Sequence, residues 1–173
     1  LDNFVRMFEA PGFWTAFLNT LKLSVVKLLL NTLMAVVISL LLNEIKNMAF
    51  KKTTQTIIYL PHFMSWVVTV SVFSLILSPS QDGLVNTLLV NAGILEQGQE
   101  IYFMGSKDWW TSIFYIINVW KDTGWGTIIF LATLSGISPE LYEAATMDGG
   151  TRWHKIRYIT LPALSNTIIT VLI

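Results

Sequence analysis

Lys121 and Asp122 stand side by side within a stretch that is otherwise almost wholly apolar. Ionisable groups inside a membrane are costly and face a bundle interior or a watery cavity, so the pair is a functional-site candidate. Adjacent positions on a helix point apart, and the two charges therefore cannot neutralise each other across one face. Asn118, Trp120 and Trp125 lie close by in sequence. Amides and carboxylates hydrogen-bond hydroxyls, and indole faces pack on the C–H faces of pyranose rings, so this mixture suits sugar binding. A plainer reading is also open: tryptophan gathers at membrane interfaces, and a span that begins later would leave Lys121 and Asp122 beside the outer headgroups. Upstream, Pro61 removes a backbone donor, a break that membrane helices tolerate where neighbours or water satisfy the freed carbonyl. His62 follows it, with Trp66 one helical turn on. His62 is either a packed, hydrogen-bonded residue or a member of the same substrate path as Trp66.

Other chemistries have little material. With His62 and His154 the only histidines and no cysteine, a protein metal site lacks ligands. No glycine-rich phosphate loop ending in Lys-Ser or Lys-Thr occurs, so no nucleotide site is expected on this chain. The acids Asp82, Glu96, Glu100 and Asp108 are scattered without the spacing of a catalytic carboxylate pair, which weakens the case for a membrane-embedded enzyme. The formal net charge of zero offers no footprint for nucleic acid.

The elements that must position these residues are membrane helices. Of the 173 residues, 53% are hydrophobic and 13% charged, against about 25% charged in an ordinary soluble domain. No Asp, Glu, Lys or Arg occurs from Leu28 to Asn43, from Thr53 to Gln81 or from Thr123 to Pro139. A crossing needs roughly 20 apolar residues, which predicts spans near 16–42, 53–77 and 112–136 and a fourth from 161 onward. The fold class is an all-α polytopic transmembrane bundle, and the chain, opening without Met and stopping inside an apolar run, reads as a partial transmembrane domain. Lys46, Lys51, Lys52, Arg152, Lys155 and Arg157 mark 43–52 and 138–160 as cytoplasmic, against Arg6 and Lys107 on the other side. Residues 1–15 and the loop 78–111 then face outward. Lys22 and Lys27 fall in the outer part of the first span, where they can snorkel along their alkyl stems or serve a substrate.

The segment from Ser138 to Pro162 has its own logic. Ser138 is a good N-cap, Pro139 suits the first helical position and Glu140 places a negative charge in the first turn. Leu141, Ala144 and Ala145 recur at helical spacing, and Gly149 and Gly150 stop the helix. Thr151 can cap a second helix carrying Trp153, Ile156 and Ile159. On physical grounds alone this helix–turn–helix is equally an amphipathic linker lying on the membrane.

The same segment resembles a known family. Glu143-Ala144-Ala145, three residues, Gly149, nine residues, Ile159, one residue and Leu161-Pro162 match every position of the EAA motif of ABC importer permeases. Weaker likeness extends to Asp2-Asn3-Phe4, Asn19-Thr20-Leu21, Tyr59-Leu60-Pro61 and the run from Trp120 to Gly126, and is similar to the carbohydrate-uptake branch, especially permeases for oligosaccharides. The resemblance implies a non-catalytic, multi-pass permease subunit of the cell membrane, importing a sugar or oligosaccharide. Glu143, Ala144, Ala145, Asp148 and Gly149 would dock or shape a coupling helix against a cytoplasmic ATPase, and Ile159, Leu161 and Pro162 would fix the return into the membrane. It implies as partners the ATPase subunits, which would hold ATP and Mg, a second homologous permease forming a heterodimer, and an extracytoplasmic solute-binding protein. A secondary transporter or channel using Lys121 and Asp122, or an importer of a non-sugar solute, is the alternative, and the former leaves the EAA match unexplained.

Overall fold

The computed structural model describes residues 1–80 and 83–173, and all regular structure among them is helical. Asp82, one of the outer-loop acids, lies outside the described residues. The α-helices run in order: α1 (Asp2–Glu9), α2 (Phe13–Glu44), α3 (Met48–Tyr59), α4 (Trp66–Ile76), α5 (Leu84–Asn91), α6 (Lys107–Ser135), α7 (Pro139–Met147), α8 (Arg152–Lys155) and α9 (Leu161–Leu172). Leu60–Phe63 forms a 3-10 turn and Ile156–Thr160 a π turn.

Among the described residues α2 alone is long and apolar enough by itself to cross a membrane, its best stretch having a mean hydropathy of 2.4. The span expected over 53–77 is not one helix. It breaks between Phe63 and Trp66, and the two arms bend by 103°. Pro61 lacks the N–H a continuing helix needs, and Ser65 accepts from the Val68 N–H at 3.2 Å, which starts a new helix there instead. The span expected over 112–136 falls on α6 up to its C-cap at Gly136, and the helix's 29 residues reach about 44 Å. Helix α9, at 12 residues, is shorter in this chain than a crossing.

Helices α2, α6 and α9 share one core, in which Ala35, Phe130 and Leu164 are essentially inaccessible to solvent. Two glycines on α6 set how closely its neighbours come. A Cβ at Gly126 would stand 2.9 Å from the Ala35 Cβ, and one at Gly124 would collide with the Ile58 carbonyl of α3. Small residues permit this backbone approach in membrane bundles, where van der Waals packing replaces the hydrophobic drive. Three buried hydroxyls in the bundle are satisfied locally: Thr127 donates to the Thr123 carbonyl at 2.8 Å, Ser39 to Val36 at 2.8 Å and Thr69 to Ser65 at 3.0 Å, whereas the buried Tyr115 hydroxyl of α6 has no partner among the described residues. Toward the expected outer side, Leu77, Phe103, Ile113 and Ile117 make a second core. Asn86 secures the loop beneath it by donating to the carbonyls of Ser78 and Ile101 and accepting from the Ile101 N–H. The described part of the loop, residues 78–80 and 83–111, is therefore a folded cap containing α5.

Candidate functional site: a polar stripe and a capped loop

The break between α3 and α4 leaves helix-end carbonyls without α-helical partners, that of Pro61 keeping a 3.2 Å bond from the Met64 N–H. Lys121 meets them. Its Nζ donates to the carbonyls of Met64 at 2.7 Å, His62 at 2.9 Å and Pro61 at 3.4 Å, and lies 5.3 Å from the centre of the Trp66 ring. An ammonium has three hydrogens to give, and all three are taken. With the residue only 4% exposed, Lys121 is committed to the backbone of the break and is not directed into an open path. The carbonyls at the break are thus met by a side chain some sixty positions away; they are not the carbonyl of Ile57, which an N–H at position 61 would have served in a continuous helix.

Its neighbour Asp122 points elsewhere, as adjacent helical positions must. The Asp122 Oδ1 is 3.6 Å from His62 Nδ1, beyond hydrogen-bond length, and that ring nitrogen is buried without a partner. The imidazole lies flat on Trp125, with ring centres 5.1 Å apart and planes 14° from parallel. Trp125 is 53% exposed, and Asp122 and His62 are half-buried, so this cluster combines an accessible indole with a carboxylate and an imidazole.

Asp122 and Trp125 continue a stripe along α6. Trp110, Phe114, Asn118, Asp122 and Trp125 follow one another at steps of four, four, four and three, and fall within a sector of about 120° on a helix of 3.6 residues per turn. Trp110 stacks on Phe114 at 5.5 Å and 17°. The Asn118 amide donates to the Phe114 carbonyl at 2.7 Å, and its oxygen accepts from no described group. The first part of the stripe lines a cavity of about 550 Å³, together with Trp66 of α4 and Lys27 of α2. Trp120 does not join it; it turns to the other side of α6 and meets Phe73 edge to face at 5.3 Å. Of the residues singled out from sequence, the structure brings together Trp66 and Asn118 at the cavity and His62, Asp122 and Trp125 further along. Trp110 and Phe114 were missed, although the four-residue steps back from Asp122 were there to be read, and for Lys27 the sequence had left a substrate role open beside snorkelling.

Beyond α6 the chain forms the capped loop. The Ser138 hydroxyl accepts from the Glu140 N–H at 3.3 Å, and α7 ends in a Schellman arrangement: the Gly150 N–H reaches the Ala145 carbonyl at 2.7 Å and the Gly149 N–H that of Thr146 at 3.0 Å. Gly149 has φ +76°, a conformation that strongly favours glycine. Thr151 and His154 then form a capping box that starts the return helix. Glu143, Ala144 and Asp148 are exposed, Ala145 is half-buried and the apolar Met147 is 88% exposed. Two side-chain bridges tie α7 to the return: Tyr142 and Thr160 share a hydroxyl bond of 3.0 Å, and Lys155 donates to Thr146 at 2.8 Å. The π turn precedes Leu161 and Pro162, and widens the backbone where the proline ring would otherwise press on the carbonyl of Tyr158. Ile159 is half-buried in that turn, while Leu161 and Pro162 are exposed.

The family described as binding-protein-dependent transport system inner membrane component matches residues 28–173. The chain belongs to that family. As a member it is a membrane component. It is 40% identical, over its whole length, to the polygalacturonan/rhamnogalacturonan transport system permease protein YteP of Bacillus subtilis, and 39% identical over 172 residues to protein LplB of the same organism. The chain spans about half the length of these curated relatives, 52% in each case. Among solved structures, a bacterial ABC transporter that imports the acidic polysaccharide alginate superposes with a TM-score of 0.91 at 39% identity, covering 99% of this chain and 58% of that one. The alginate transporter bound to a periplasmic protein carrying an alginate pentasaccharide gives 0.91 at 40% identity, with the same coverage.

Proposed function

We propose that this chain is part of a multi-pass permease subunit of an ATP-driven, binding-protein-dependent importer, and that it forms part of the path of a sugar or oligosaccharide. The subunit itself is non-catalytic. ATP and Mg are held by a cytoplasmic ATPase partner, and a second homologous permease and an extracytoplasmic solute-binding protein complete the assembly. The relatives' named substrates and the run of indole, amide and carboxylate groups on α6 support an oligosaccharide.

The observation that carries the reading is the coupling loop. Helix α7 is exposed, closed at both ends by its own caps, and leaves Leu141 and Met147 uncovered. Exposed apolar side chains on a rigid, short helix fit a partner groove. Glu143 stands on that helix and Gly149 fixes its end.

Two variants test this. Glu143→Lys keeps the helix but reverses a charge at the docking surface; Gly149→Val puts a branched side chain where φ is +76° and misdirects the return helix. Both leave α2 and α6 untouched and are expected to insert normally. Each should lose copurification of the ATPase or ATP-driven uptake in vesicles. Wild-type association together with wild-type uptake in both would refute the coupling role.

A further inference from the structure

The cavity beside α6 holds one charged residue. Lys27 forms part of its wall on α2, while Trp66, Trp110 and Phe114 supply ring surface, Asn118 an amide, and the rest of the wall is aliphatic. No acidic residue lines it, and among the described residues Lys27 makes no ion pair or hydrogen bond. Lys121, the other cation near Trp66, is fully spent on backbone carbonyls and cannot answer an additional ligand.

A half-buried ammonium on an otherwise apolar wall, with no acid beside it, has its charge complemented by an anionic ligand. The volume of about 550 Å³ falls within the roughly 300–1,000 Å³ of small-molecule sites. Its aromatic walls suit the C–H faces of a sugar ring, and the Asn118 amide oxygen is free to accept from a hydroxyl. Lys27 lies 14 residues into α2, about 21 Å from the start of that helix at 1.5 Å per residue. The site therefore stands below the outer cap and above the Asp122 cluster.

We propose that this cavity is a subsite for an acidic sugar unit, and that Lys27 selects the carboxylate of a hexuronate against neutral sugars. The assignment rests on the importer reading above and adds to it the charge class of the substrate and the residue that sets it. Trp66 and Trp110 position the ring, and Lys27 pairs with the carboxylate.

The test uses the full importer with its ATPase and binding protein in proteoliposomes, with trigalacturonate and its fully methyl-esterified form as probes. Lys27→Met, of similar length and uncharged, should lower uptake of the acid roughly 10- to 100-fold, the worth of a charge-assisted hydrogen bond, while uptake of the ester changes little. Lys27→Arg should restore most of the preference. Titration of the permease complex in nanodiscs without the binding protein separates the cavity's selectivity from that protein's, and Lys27→Met should weaken acid binding there by the same factor. An equal loss for both probes, or no loss for either, would overturn the assignment and leave the importer reading standing. Dependence of the Lys27→Met defect on phosphatidylglycerol content, with the acid-to-ester ratio unchanged, would assign Lys27 to lipid phosphate and likewise overturn it. Absence of ATP-dependent uptake of both probes by the wild type would overturn the importer of acidic oligosaccharides itself.

Discussion

Replacing Lys121 by Met would remove the charge that closes the break between α3 and α4 while nearly preserving side-chain length. The Pro61 carbonyl would keep one partner, since it also accepts from the Met64 N–H at 3.2 Å. The carbonyls of His62 and Met64, now bonded to the ammonium at 2.9 and 2.7 Å, would lose it. Leaving a buried acceptor unsatisfied costs about 1–3 kcal/mol, which gives about 2–6 kcal/mol for the two. The variant recovers part of this, because no ammonium has to be desolvated and methionine packs well against Trp66. A net loss of about 2–4 kcal/mol corresponds to a fall of roughly 4–16 °C in the unfolding midpoint of a domain of this size. Tryptophan-detected unfolding in detergent measures the fall, and amide exchange at residues 62–66 should accelerate in the folded protein. Asp122→Asn provides the contrast, since Asp122 makes no hydrogen bond to the break. An unchanged midpoint with unchanged exchange in Lys121→Met would refute the cap; loss of uptake at full stability would place the ammonium in the substrate path instead.

Gly124→Ala should destabilise by about 1–3 kcal/mol, the usual cost of overpacking, because its Cβ meets the Ile58 carbonyl and α3 has to shift; thermal unfolding against the wild type checks it. Trp125→Ala removes both an exposed indole and the surface on which His62 stacks, so uptake of oligosaccharide should fall while the unfolding midpoint changes little. Asp122→Asn should likewise reduce uptake with assembly intact, a loss of about 1–3 kcal/mol if it bonds a sugar hydroxyl in a desolvated path. In a protein carrying one introduced cysteine and no other, a cysteine at Lys51 should react in intact cells only with membrane-permeant thiol reagents, and one at Glu96 with impermeant ones. The opposite pattern would invert the topology.

The loop at 138–162 was legible because its signals are local. Ser138, Gly149, Gly150 and Thr151 each act two to five residues from themselves, and the structure uses each as expected. The separation of Lys121 from Asp122 was legible for the same reason, being a matter of helical angle. What sequence did not disclose depends on distant partners. Pro61 announces a break but not its size, and the 103° bend follows from a new N-cap at Ser65 and a lysine contributed by another helix. Trp120 shares the composition of the sugar-binding candidates but lies off their face, which the spacing to Asn118 and Asp122 already forbade. For Lys27 the sequence left snorkelling and a substrate role both open, because its cavity is assembled from α4 and α6, on which its own sequence neighbourhood is silent.

Helix α7 behaves mechanically as a short strut. Its ends are locked by caps and its side is braced by the Tyr142–Thr160 and Lys155–Thr146 bonds, so a push on Met147 finds no compliant hinge within it. Strain of that kind passes to the next joint. That joint is the π turn at 156–160, where the backbone is already wider than an α-helix and the following proline contributes no hydrogen bond to stiffen it. Beyond it, Leu164 of α9 is seated among Ala35 and Phe130, the same packing that fixes the spacing of α2 and α6. A load applied at α7 would therefore act through a rigid arm and the seat of α9, at Leu164 and at the Thr133–Thr167 hydroxyl bond of 2.9 Å, on the two helices that carry Lys27 and the α6 stripe, widening or narrowing the gap between them.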